Sequence, residues 1–137
     1  MFISQKKGEK MQGRKVILTD SAPQPRGPYS QAVIHKDVMY IAAQGPFDPE
    51  TNQLIGGGIG EETRRVLENI KALVTEGGGS LEKIIKINCF LSDVAAYQEF
   101  NGIYKDYFIK ESPARTVVEA KLPLGMKVMM DAVAAID

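Results

Sequence analysis

Helical periodicity occurs in only two stretches of this chain, and strand-like patterning fills most of the rest. In Glu61–Glu76 the apolar residues Val66, Ile70, Leu73 and Val74 fall at i, i+4, i+7 and i+8, one face of an amphipathic helix. Glu61 and Glu62 suit the positive end of its dipole, and Gly77, Gly78 and Gly79 supply the left-handed geometry of a helix exit. The second helix follows a Ser92-Asp93 cap: Tyr97, Phe100, Tyr104, Tyr107 and Phe108 recur at three- and four-residue spacing until Ser112-Pro113 breaks it. Six strands are predicted around these helices. They are Lys15–Thr19, a hairpin of Ala32–Ile34 and Val38–Ala43 about a His35-Lys36-Asp37 turn, then Ile84–Leu91, Ala114–Val118 and Lys127–Ile136. In Ile84–Leu91, alternation puts Ile85, Ile87, Cys89 and Leu91 on one face and Lys86, Asn88 and Phe90 on the other.

The sum is an α+β two-layer sandwich, a six-stranded mixed sheet with both helices on one face. Two helices cannot cover both faces of such a sheet. The opposite face, with Phe90 and Tyr40 or its neighbours, needs another cover, so a homo-oligomer with closed cyclic symmetry is expected.

With 137 residues there is room for one domain, placed at residues 15–137. Residues 1–14 read as a flexible basic tail, since over Met1–Lys15 the bases Lys6, Lys7, Lys10, Arg14 and Lys15 outnumber the one acid, Glu9. Over the whole chain 17 Lys and Arg balance 17 Asp and Glu, which argues against nucleic acid as a partner. One cysteine, Cys89, and one histidine, His35, provide neither an internal disulfide nor a zinc ligand set. A reducing, cytoplasmic setting is expected, with no membrane partner, because no apolar run approaches the roughly 18 residues a span requires.

Walker, nucleophile-elbow and paired-histidine motifs are absent. The glycines at Gly56–Gly60 lack the Lys-Ser/Thr ending of a phosphate cradle and read as a loop, and Cys89 on an apolar strand face reads as a small buried hydrophobe. Two places ask for more. Arg115 opens the apolar strand Ala114–Val118, either as an exposed flank or as a receptor whose planar fork grips a small carboxylate. Tyr29, in the rigid loop Gly27-Pro28-Tyr29-Ser30-Gln31, is either a surface plug or a lid over a substrate.

Taken together, Ala22-Pro23, Gly27-Pro28-Tyr29-Ser30-Gln31-Ala32, Gln44 through Pro46-Phe47-Asp48-Pro49, Asn69, Pro113-Ala114-Arg115-Thr116 and Leu122-Pro123 resemble the RidA (YjgF) family of reactive intermediate deaminases. The resemblance covers about Lys15 to Ile136. It implies a chorismate-mutase-like fold, a homotrimer whose sheets form a central barrel, and ligand clefts between subunits. It also implies hydrolysis of 2-aminoacrylate and related enamine or imine acids to 2-keto acids and ammonia, with neither metal nor organic cofactor. By the same motifs Arg115 pairs with the substrate carboxylate, Tyr29 closes the pocket, backbone groups near Val117 contact substrate or water, and Phe90 and Gln44 are further candidates for substrate binding.

Three positions depart from the deaminase pattern. Met129 stands where that type carries a glutamate in the last strand, Ala42-Ala43 replaces Ser-Gly, and Val117 replaces a cysteine. A thioether cannot polarise water as a carboxylate does. Asp131, on the strand face of Met129 and about 6–7 Å along it, and Glu119, which shares the parity of Arg115, are candidate replacement acids. The expectation is therefore an imine/enamine acid hydrolase acting on a small carboxylic acid, with a non-catalytic carboxylate-binding or regulatory protein as the alternative. RNA cleavage or translation inhibition, once attributed to the family, fits poorly with zero net charge and no His or acid pair for phosphodiester chemistry.

Overall fold

The structure, a computed structural model, describes residues 10–11 and 13–137. Its strands are β1 (Lys10–Met11), β2 (Arg14–Ile17), β3 (Ala32–His35), β4 (Val38–Gln44), β5 (Ile84–Leu91), β6 (Ala114–Glu119) and β7 (Val128–Ala135), and its helices α1 (Ile59–Glu76) and α2 (Tyr97–Tyr107). One mixed sheet runs in the order β1-β2-β3-β4-β7-β5-β6. Only β5 and β6 are parallel, and α2 is the crossover between them.

All six expected strands are present, and a seventh is added. β1 falls within the stretch read as a tail and pairs Met11 with Arg14, the chain turning back through Gly13 at φ +82. Two residues carry no periodicity, so nothing in the side-chain pattern announces it. The rest of the predicted tail, residues 1–9 and 12, lies outside the described residues.

Both helices pack on one face of the sheet. Val66, Leu67, Ile70, Leu73 and Val74 of α1 and Phe100 and Tyr104 of α2 are buried against Met39, Ile41, Ile87, Cys89, Leu91, Val128, Met130 and Ala132. Each large apolar side chain so enclosed contributes about 1.5–3 kcal/mol. The first helix starts two residues earlier than expected, at Ile59, because the Gly58 N–H donates to Glu61 Oε1 at 3.0 Å. Backbone N–H groups hold the Glu61 carboxyl below its ordinary range. The glycine stretch is thus the start of α1 as well as a loop. At the far end Gly78, at φ +92, donates to Thr75 O, and the Gly79 N–H to Val74 O.

One predicted facing is corrected. Ile85 is half exposed rather than in the core, and Ile84 is buried in its place. The β5–β7 register slips between Ile84 and Lys86, and this bulge flips Ile85 outward while Ile87, Cys89 and Leu91 keep the core face.

The second sheet face has no layer over it among the described residues. Val33, Tyr40 and Val133 form one cross-strand row on it, Asn88, Asp131 and Thr116 a second, and Phe90, Met129 and Val118 a third. Tyr40 is 52% exposed and Val118 42%. No helix among the described residues is long and apolar enough to cross a membrane.

Candidate functional site

Arg115 extends a row of core residues. Ala32, Ile41, Ala132, Ile87 and Arg115 are successive cross-strand partners, so the Arg115 side chain leaves the sheet edge on the helix side, where α2 lies over it. It is half-buried, not an exposed flank. Nη1 donates to Asn101 Oδ1 at 2.8 Å and Nη2 to the Tyr97 hydroxyl at 2.9 Å. The guanidinium also lies over the Tyr104 ring, 4.7 Å from its centroid. Tyr97, Asn101 and Tyr104 stand at i, i+4 and i+7 on α2, one stripe of the helix aimed at β6.

Arg115, Tyr97, Val117 and Val94 line an open cleft of about 490 Å³. A guanidinium has five N–H donors, and two bonds to protein leave three for a ligand. Such a planar, permanently charged fork, half-shielded from water, suits a carboxylate better than a spherical anion. Beneath it the Cys89 thiol is buried and pushed up to about 12 by desolvation, with the Arg115 charge opposing part of that rise. Burial likewise raises Tyr104, Cys89 adding to the rise and Arg115 opposing it. Cys89 is therefore a packed thiol rather than a nucleophile.

A second pocket, of about 270 Å³, holds Tyr29 and Gln44 of the other expected residues, together with Met129. Tyr29, Gln44, Arg26, Phe47, Leu124, Met126 and Met129 line it. Tyr29 is 43% exposed, and its hydroxyl accepts the Arg26 N–H at 3.0 Å, so the ring is fixed at the pocket rim by its own loop. Arg26 in turn donates to the Asn52 carbonyl and stacks on Phe47. Gln44 is buried and donates to Ala42 O at 3.0 Å. Gly45 admits the close approach of this wall, since a Cβ there would stand 2.5 Å from Met126 Sδ.

The two pockets are separate within one chain. Arg115 and Val117 project from the edge strand β6 on the helix side, whereas Met129 projects from β7 on the opposite face, in the row of Phe90 and Val118. Phe90 lies half-buried on that open face and lines neither pocket. Both candidate acids already have partners: Asp131 accepts from Asn88 Nδ2 at 2.9 Å, and Glu119 accepts the Val94 N–H at 2.8 Å. Among the described residues no group of three or more His, Cys, Asp or Glu side chains could hold a metal ion.

Buried amides anchor the loops around the second pocket. Gln31 accepts from Thr19 N at 2.7 Å and donates to the carbonyls of Thr19, Ala22 and Pro23. Asn69 of α1 donates to Gly45 O and Phe47 O while accepting from Arg65. Sequence reasoning missed Tyr97 and Asn101, whose stripe reads as core bulk. An asparagine set four residues after a tyrosine, within an aromatic run, was the available signal.

A model of the endoribonuclease L-PSP family matches residues 19–136. A RutC family protein of Pyrococcus abyssi is 42% identical over 122 residues, spanning 88% of this chain and 96% of that one. The 2-iminobutanoate/2-iminopropanoate deaminase of Homo sapiens is 38% identical, spanning 88% of this chain and 89% of its own. Among solved structures, E. coli TdcF with bound serine superposes with a TM-score of 0.84 at 31% identity, covering 90% of this chain and 99% of that one.

Proposed function

Because this chain belongs to the endoribonuclease L-PSP family, the group that includes the Rid proteins, we propose that it hydrolyses small 2-imino or 2-enamino acids to 2-keto acids and ammonia. The observation that carries the reading is Arg115, a guanidinium held by two hydrogen bonds at the wall of an open cleft. Relatives that carry the 2-iminobutanoate/2-iminopropanoate deaminase name supply the reaction class. TdcF with bound serine shows a small carboxylic acid on this fold.

In this mechanism Arg115 binds the substrate carboxylate and fixes the adjacent C=N carbon over the cleft. An enamine first takes a proton at its terminal carbon and gives up one from nitrogen to become the imine. Water then adds to the imine carbon with one of its protons passing to nitrogen, and the new hydroxyl gives its own proton to nitrogen as the C–N bond breaks, releasing ammonia and leaving the keto group. An imine is already electrophilic, so orientation and one water supply much of the rate.

The working unit is a homotrimer, with the open sheet faces turned inward as a central barrel. Two features support it: a mixed apolar sheet face without a covering layer, and the division of the expected site between two pockets on opposite faces. An adjoining copy would bring Tyr29, Gln44 and Met129 to the Arg115 cleft of its neighbour. The second reading is a protein that binds a keto acid without turning it over. Met129 favours it, since the thioether sits where a proton-transfer group is expected and Asp131 and Glu119 are both engaged.

The test is to generate 2-aminoacrylate or 2-iminobutanoate in situ and follow its decay with wild-type protein and with Arg115→Ala. Acceleration by wild type that the variant loses supports the hydrolase. Binding of 2-ketobutyrate without acceleration supports the second reading.

A further inference from the structure

We propose that Asn101 and Tyr97 are positioning residues for Arg115, and that Tyr97 also offers its own O–H as a further donor to the carboxylate the arginine grips. The proposal rests on the reading of Arg115 as the carboxylate receptor and extends it to α2, a helix that carries none of the motif residues. Asn101 Oδ1 and the Tyr97 oxygen act as acceptors, one for each terminal nitrogen of the guanidinium. Two acceptors on different nitrogens, with the Tyr104 ring beneath, stop both rotation and tilting of the plane.

The chemistry of the two acceptors matters as much as their positions. Both are neutral, so they orient the guanidinium without cancelling its charge. A carboxylate at either place would satisfy the fork internally and compete with substrate. Tyr97 has a further property. Its oxygen accepts from Nη2 at 2.9 Å, so its own proton points away from the cation, and the residue lines the same cleft. A carboxylate oxygen bound at Nη2 lies within reach of that hydroxyl. The cleft then presents three convergent donors to one planar anion, which selects carboxylic acids over the corresponding amides or esters.

The experiment uses the full chain and three variants, Tyr97→Phe, Asn101→Ala and Asn101→Asp, with two readouts. The first needs no ligand: 15N NMR of the Arg115 guanidinium reports rotation about its Cζ–N bonds. Slow exchange in wild type that becomes fast in Asn101→Ala and Tyr97→Phe supports the positioning role. Fast exchange already in wild type overturns it, whatever the protein does with substrates. The second readout is affinity for 2-ketobutyrate by calorimetry. About tenfold weaker binding is expected for Tyr97→Phe and for Asn101→Ala, the loss of one hydrogen bond to a charged group. Binding at least about a hundredfold weaker is expected for Asn101→Asp, which keeps the shape but neutralises the receptor.

The order of the two Asn101 variants discriminates. If Asn101 only packed the helix, the isosteric Asp would be the milder change, and that order overturns the proposal. Unchanged affinity in Tyr97→Phe removes the hydroxyl from the ligand's contacts and overturns that part. Wild type that holds the guanidinium rigid but binds no keto acid refutes the functional reading of the cleft, while the positioning of Arg115 stands.

Discussion

The Asn88 amide donates to Asp131 at 2.9 Å across the β5–β7 pair, so the carboxylate two residues beyond Met129 already serves its neighbour strand. Asp131 is therefore a poor stand-in for a missing acid, and the two positions respond oppositely to substitution. Met129→Glu places a carboxylate in the Tyr29 pocket and is expected to raise imine turnover by about 10²-fold, the usual contribution of one positioned acid–base group. Asp131→Asn keeps the bond pattern available and leaves turnover within about twofold. Rates from continuous assay of both variants check this; an unchanged Met129→Glu enzyme shows that proton transfer does not limit.

Replacement of Arg115 separates charge from shape. Arg115→Lys retains the cation but loses the fork that reaches Asn101 and Tyr97. Its affinity for 2-ketobutyrate falls by about one to two orders of magnitude, since two charge-assisted bonds become one. Arg115→Ala abolishes measurable binding. Isothermal titration at matched ionic strength ranks the three proteins.

Alkaline pH weakens the fold. Burial pushes the Cys89 thiol from 9.0 to about 12, and burial with the bond to the Glu68 carboxylate pushes Tyr107 from 10.0 to about 12. Groups whose pKa is higher when folded bind protons more tightly in the native state, so their stabilisation is intact below pH 9 and declines as pH rises toward 12. Urea midpoints measured between pH 8 and 11 should fall steadily above 9. At pH 8 the native thiol resists labelling, and one cysteine per chain reacts after denaturation.

Gln31→Ala strikes the loop rather than the chemistry. The buried amide accepts one bond and donates to three carbonyls, and its loss removes the partner of Thr19 N and of the Ala22 and Pro23 carbonyls, while Thr19 O keeps the Gln24 amide. A destabilisation of about 3 kcal/mol is expected. Chemical unfolding measures it, and Gln31→Glu, which keeps the acceptor but not the donors, loses part of it.

Tyr40→Asp or Val118→Asp places a charge on the open sheet face without disturbing the core. Light scattering should give three times the chain mass of 15.0 kDa for wild type and the single mass for the variants. A single mass for wild type contradicts the shared cleft directly.

Much of this architecture was legible because apolar periodicity and burial agree. Val66, Ile70, Leu73 and Val74 define the inner face of α1 in sequence and in space, and β5 begins and ends where its alternation does. Ile85 escaped because a bulge is a backbone event with no side-chain signature. The position of Arg115 was legible, but its setting was not: strand parity alone does not say that the row it belongs to runs under α2. Its partners Tyr97 and Asn101 are 14 to 18 residues upstream and become neighbours only after the crossover brings β6 beside β5. Tyr29 and Met129 share a pocket although a hundred positions separate them, a relationship no local pattern encodes.

The order of strands also sets an order of closure. β7, the last of the described strands in the chain, lies between β4 and β5. Until it inserts, the chain holds two half-sheets with raw inner edges and no continuous core. The whole sheet is therefore committed only by its most distant pairing, and the inner edges of β4 and β5 are open to mispairing with other chains until that pairing is made.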